Sequence, residues 1–163
     1  MDEFNTALFQ VVSEMCAGKI PEPLQRNGWT LFDDLKLEAA SHYSHNFQRY
    51  RYIPFRLAVN HDKCRSEISR AQSAGLDEYG DPVRQGKKPR KKKGRSTYHF
   101  LNYWLLEALG KMEFAADMAY SMERLHPQEI GFDVIIHGES DWEIRKWYRG
   151  ERHILDDLIG GTF

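Results

Sequence analysis

Thr30-Leu31-Phe32-Asp33-Asp34-Leu35-Lys36-Leu37-Glu38-Ala39 is the stretch whose period decides the fold class. Leu31, Leu35 and Ala39 fall four apart and Phe47 continues the stripe, which is the repeat of one helical face. Thr30 stands where an N-cap stands, and the acid Asp33 three residues on resembles the second half of a capping box. This spacing predicts a helix from Thr30 towards residue 47 and, with it, a mainly α fold.

The flanks extend the same pattern. Upstream, Phe4, Ala7, Leu8, Val11, Val12 and Met15 form an apolar stripe that Gly18 ends, and Pro21 and Pro23 enforce an extended connection. Downstream, Arg49-Tyr50-Arg51-Tyr52-Ile53-Pro54-Phe55-Arg56 alternates as a strand does, with Pro54 confining it to an edge or a short extended piece. Leu57, His61, Cys64, Ile68 and Ala71 recur at helical steps and predict a further helix. A longer helix is expected over residues 97–125, capped by Ser96 or Thr97, stopped by Pro127, with its seam at Leu101, Leu105, Ala108, Met112, Ala115, Ala119 and Met122. The β-branched run between Gly131 and Gly138 predicts a strand, and residues 141–159 return to helix. The expectation is a single compact helical domain over 1–163, with four or five helices, a minor β element near 131–137 and a flexible basic loop at 75–95.

Composition narrows the class of protein. The chain has 163 residues, 41% apolar and 13% aromatic, enough to bury a core. Cys16 and Cys64 alone cannot make a disulfide scaffold. The acidic opening Met1-Asp2-Glu3 is unlike a signal peptide. No apolar run reaches membrane-spanning length. A cytoplasmic protein without a membrane partner is expected, nuclear in a eukaryotic host.

The formal charge of −1 conceals a segregation. Arg84, Lys87, Lys88, Arg90, Lys91, Lys92, Lys93 and Arg95 put eight basic side chains and no acid into residues 84–95. Of the 23 basic residues, 15 remain elsewhere against 24 acids, a formal −9. Such a tract, broken by Gly86, Pro89 and Gly94, suits the phosphate backbone of DNA or RNA, because each contact releases a condensed counterion. A targeting signal or a solvated loop lying on the acidic remainder are the other readings. Arg49, Tyr50, Arg51 and Tyr52 add rings for base stacking beside guanidinium groups, as do Phe55-Arg56 and Arg145-Lys146-Trp147-Tyr148-Arg149 with Arg152. The leading expectation is a nucleic-acid-binding protein of low sequence specificity, without catalysis or cofactor.

One divalent metal ion is the alternative. His42 and His45, then His61 and Cys64, have the paired spacing of a tetrahedral site. His61-Asp62, with an upstream His42 or His45 and a later Asp117, superficially resembles the H…HD…D pattern of the HD-domain phosphohydrolases. That resemblance implies a metal-activated water attacking a phosphate in an all-helical site. The short upstream interval and Lys63-Cys64-Arg65 depart from that family's pattern, so membership is not drawn. Asp133, Glu139 and Glu143 flank the predicted strand as carboxylates for a magnesium-dependent nuclease. No P-loop, dinucleotide fingerprint or nucleophile elbow is present. A third class is an acidic interaction module that docks on a basic partner, or self-associates through the 97–125 helix.

Overall fold

Alternation, not a four-residue repeat, governs residues 29–38 in the computed structural model, which describes residues 22–38, 52–83, 97–126 and 129–151, with 6, 8, 10, 12–14, 155 and 157 besides. Strand β1 (Leu24–Arg26) turns into β2 (Trp29–Glu38) through Asn27 and Gly28. Both turn residues have positive φ, 50° and 79°, as a two-residue hairpin requires. The mainly α expectation is therefore wrong at the stretch that carried it. Its physical source is a β-bulge: Phe32 pairs with Leu57 and Leu35 with Phe55, so β2 spends one residue more than its partner strand. Asp34 absorbs the extra length at φ 53°, a conformation Asp tolerates. The bulge shifts the side-chain alternation, so buried Thr30, Phe32, Leu35 and Leu37 share one face, while Trp29 and Leu31 take the other. Read without the bulge, the same residues mimic a helical stripe.

β3 (Tyr52–Asn60), α1 (His61–Ser73), α2 (Thr97–Glu123), β4 (Ile130–Ile136) and β5 (Trp142–Tyr148) follow. The sheet has five strands in the order β1-β2-β3-β4-β5. Every neighbouring pair is antiparallel except β3 and β4, which are parallel. β3 is thus a central strand, not the edge that Pro54 predicts. Its pairing with β4 begins only at Phe55, so the missing N–H of Pro54 falls where β2 alone pairs with β3. The helix expected from Leu57 begins instead at His61, where the Asn60 side chain accepts a hydrogen bond from Lys63 N–H at 3.1 Å. Residues 142–148, expected as helix, form β5. The helix of 97–125 and the strand of 131–137 are present as α2 and β4.

Residues 75–83, expected as flexible loop, close on themselves. Asp77 Oδ1 accepts from the backbone N–H of Tyr79 and Asp81, and Val83 N–H donates to Gly75 C=O at 2.7 Å. Leu76 and Pro82 form an isolated bridge. The core lies on one side of the sheet. There Ile53, Phe55, Leu57, Val59, Phe132 and Val134 meet Trp104, Leu105, Met112 and Tyr120 of α2, Ile68 of α1, and Leu8 and Val12 of the N-terminal helical residues. The opposite face carries a smaller cluster of Trp29, Leu31, Ala58, Ile135 and Leu155. Among the described residues, no helix is long and apolar enough to cross a membrane.

Candidate functional site

β3 and β4, the parallel pair of the sheet, end at the same edge, so the loops that leave their carboxyl ends lie side by side. Here β3 runs into Asn60-His61-Asp62-Lys63 and β4 into His137-Gly138-Glu139-Ser140-Asp141. Two contacts strap the second loop to α1. Lys63 Nζ meets Asp141 Oδ2 at 2.6 Å, and Glu67 Oε1 accepts from Glu139 N–H at 2.9 Å. A Cβ at Gly138 would lie 1.7 Å from Glu67 Oε2, so a side chain there would displace the Glu67 carboxylate from the strap.

His61 is held from three sides. Its N–H donates to Gly28 C=O at 3.1 Å, Nδ1 lies 3.1 Å from buried Thr30 Oγ1, and Nε2 lies 3.3 Å from Asp62 Oδ1. Trp29 meets the His137 ring edge-on at 5.1 Å between centroids. With both His61 nitrogens engaged and the Thr30 hydroxyl fully buried, the trio fixes an imidazole and offers no hydroxyl for attack. The charges are tuned by their neighbours. The Lys63 ammonium holds the Asp141 carboxyl below its ordinary value and is itself held above its own. Burial, with Glu67 and Glu107 nearby, pushes Glu139 up. Beyond Asp62, a shallow open depression of about 520 Å³ runs along α1, lined by Asp62, Arg65, Ser66, Ser69 and Arg70. Two guanidinium groups and two hydroxyls supply the donors a phosphate accepts from.

The second ionic site is on the sheet face opposite α2. Arg56 and Asp133 stand in register on β3 and β4 and pair at 3.3 Å, with Asp33 of the β2 bulge 4.0 Å from Arg56 Nε. Arg56 is 7% exposed, and its buried Nη2 has no hydrogen-bond partner among the described residues.

The residues expected from sequence divide accordingly. Arg49, Tyr50, Arg51, Arg84, Lys87, Lys88, Arg90, Lys91, Lys92, Lys93, Arg95, His42, His45 and Arg152 lie outside the described residues. Tyr52 opens β3. His61 and Asp62 are together, but Cys64 turns away from them into the core, its Sγ 3.9 Å from Ile136 C=O, and burial pushes the thiol up to about 12. Among the described residues, no group of three or more His, Cys, Asp or Glu converges as a metal site. Asp117 is half-buried on α2, and the sheet replaces the all-helical scaffold that the H…HD…D pattern implies. Asp133, Glu139 and Glu143 do not form one site among the described residues: the Asp133 carboxylate is bound by Arg56 and that of Glu143 by Arg145, while Glu139 is held by Glu67 only at its backbone N–H. Trp147 is buried, and Lys146 and Tyr148 both bind Glu123, so this segment is not a free stacking platform. The Arg56–Asp133 pair itself was missed. Its signal is a lone charge inside each of two otherwise apolar strand runs, Ile53–Val59 and Phe132–Ile136.

No protein family, curated protein or solved structure matches the chain.

Proposed function

We propose that the chain binds nucleic acid through its phosphate backbone, with the basic tract as the principal contact and the depression on α1 as an adjoining floor. The observation that carries this reading is the eight basic side chains, without an acid, in residues 84–95 of a chain that is otherwise formally −9. The tract lies in the connection from α1 to α2, beginning immediately after Val83 and ending two residues before Thr97. All five strands and both long helices lie outside it. Arg65, Ser66, Ser69 and Arg70 on α1 face the depression on the helix that leads into this connection. Lysines on such a segment read charge, not base edges, so affinity is steeply salt-dependent and indifferent to sequence. The acidic remainder confines the polymer to the tract side by repulsion. A cytoplasmic location, or a nuclear one in a nucleated host, accompanies this reading.

Titrating labelled duplex DNA and single-stranded RNA across a salt series tests it. Replacing Lys87, Lys88, Lys91, Lys92 and Lys93 by Gln is expected to flatten the slope of log K against log salt by up to about 4.5 on duplex, at roughly 0.9 per phosphate contact. Failure to bind either polymer, or an unchanged slope, overturns it.

A further inference from the structure

β5 ends the sheet order, and among the described residues no strand lies beyond it. The ladder to β4 fixes which of its backbone groups face outward. His137 N–H donates to Asp141 C=O, and Arg149 N–H donates to Glu129 C=O. Between these bonds the register runs unbroken from Ile136↔Trp142 to Ile130↔Tyr148. Hydrogen-bonded pairs alternate along an antiparallel ladder. Glu143, Arg145 and Trp147 therefore turn their N–H and C=O towards β4, while Trp142, Ile144 and Lys146 turn theirs outward. Tyr148, next in the outward series, is already closed: its N–H donates to Glu151 Oε2 and its C=O accepts from Glu151 N–H.

We propose that this edge pairs with β5 of a second copy of the chain, antiparallel about a two-fold axis at Ile144. The observation that commits the occupant is charge complementarity. In this register Ile144 faces Ile144 and Trp142 faces Lys146 at hydrogen-bonded positions. Glu143 then faces Arg145 of the partner subunit, and Arg145 faces Glu143 of the partner subunit. Both ion pairs fall at the non-hydrogen-bonded positions, where opposing Cα atoms come within about 4.5 Å. Glu143 and Arg145 already pair within one strand, so the dimer closes four charges into a ring. The adjacent registers that preserve backbone bonding set Glu143 against Glu143 or Arg145 against Arg145, and like charges directly opposite destabilise a ladder. Charges that protect an edge from promiscuous pairing thus admit one alignment. The axis is normal to the sheet, so α2, which packs over β4 and β5, lies on the same face in both copies. The sheet becomes continuous through ten strands, twice the five of one chain.

Sedimentation equilibrium of the full chain without nucleic acid, over rising protein concentration, tests this independently of the nucleic-acid reading. The wild-type chain is expected to dimerise, E143R and R145E each to remain monomeric, and the double reversal E143R/R145E to dimerise again. Lys146→Pro removes an outward N–H, leaves the ladder to β4 intact and is expected to abolish the dimer, with far-UV circular dichroism reporting the retained fold. A wild-type chain that stays monomeric, a dimer indifferent to both single reversals, or a double reversal that remains monomeric overturns the proposal. Indifference to the reversals would point instead to the exposed apolar ridge of α2 at Leu106, Phe114, Met118 and Met122.

Discussion

On the α2 side of β3 and β4, Ile53, Phe55, Leu57, Phe132 and Val134 meet the helices with no charged group among them, whereas on the other side the same strands set Arg56 against Asp133, beside Ala58 and Ile135. The apolar face gains by removing area from water, an effect indifferent to which particular neighbour does the covering. The ionic face gives up hydration of two charges, a cost their attraction must offset. What it obtains is alignment. Arg56 and Asp133 are opposite one another in the parallel register, and a slip of one residue would turn a charge into the apolar core.

Removing one charge from the ionic face tests this contrast most severely. Asp133→Ala leaves Arg56 buried without its nearest carboxylate and is expected to cost about 3–5 kcal/mol in denaturant unfolding. The double replacement Arg56→Met with Asp133→Leu is expected to recover most of that loss. A single variant as stable as wild type would mean that the pair has no structural role. A smaller effect comes from crowding the same face. A Cβ at Gly131 would lie 2.0 Å from the Trp147 ring, so Gly131→Ala should cost roughly 1–3 kcal/mol by overpacking, again read by denaturant midpoint.

The smallest effect lies in the loop that follows β4. Glu139 has a raised folded pKa, caused first by burial and then by Glu67 and Glu107. The folded protein therefore holds this proton more tightly than the unfolded chain does. Its carboxylate opposes folding at neutral pH, and that opposition fades as pH falls through the raised value. Glu139→Gln should raise Tm slightly at neutral pH, with the gain shrinking in acid. The strap survives because it uses the backbone N–H of residue 139.

Elements with a single uninterrupted period were legible in the sequence. α2 keeps the expected seam from Leu101 to Ala119, with Met122 exposed beyond it, and β4 is a buried run that ends in the β-branched Val134, Ile135 and Ile136. β2 was not legible, because the bulge at Asp33 and Asp34 changes the phase of the alternation midway. Nor was the border of β3 and α1, because Leu57, His61 and Cys64 keep helical spacing across a strand end. In β5, charged residues alternate with aromatic and aliphatic ones at an edge, and that mixture also fits an amphipathic helix. At the sites, His61-Asp62 and Asp133 were visible as candidate chemistry. Their partners Thr30 and Arg56 stand 31 and 77 residues away from His61 and Asp133 respectively. Such pairings follow from strand order, which residue spacing does not encode.

The parallel neighbours β3 and β4 are joined along the chain only through His61–Glu129, basic tract included. Laterally they are joined at five backbone positions, from Phe55↔Phe132 to Val59↔Ile136. The molecule is thus built of two pieces that each hold part of one sheet, joined along the chain by a connection that includes residues 84–95. A chain severed there would remain one particle, its halves clasped edge to edge as in a split reporter.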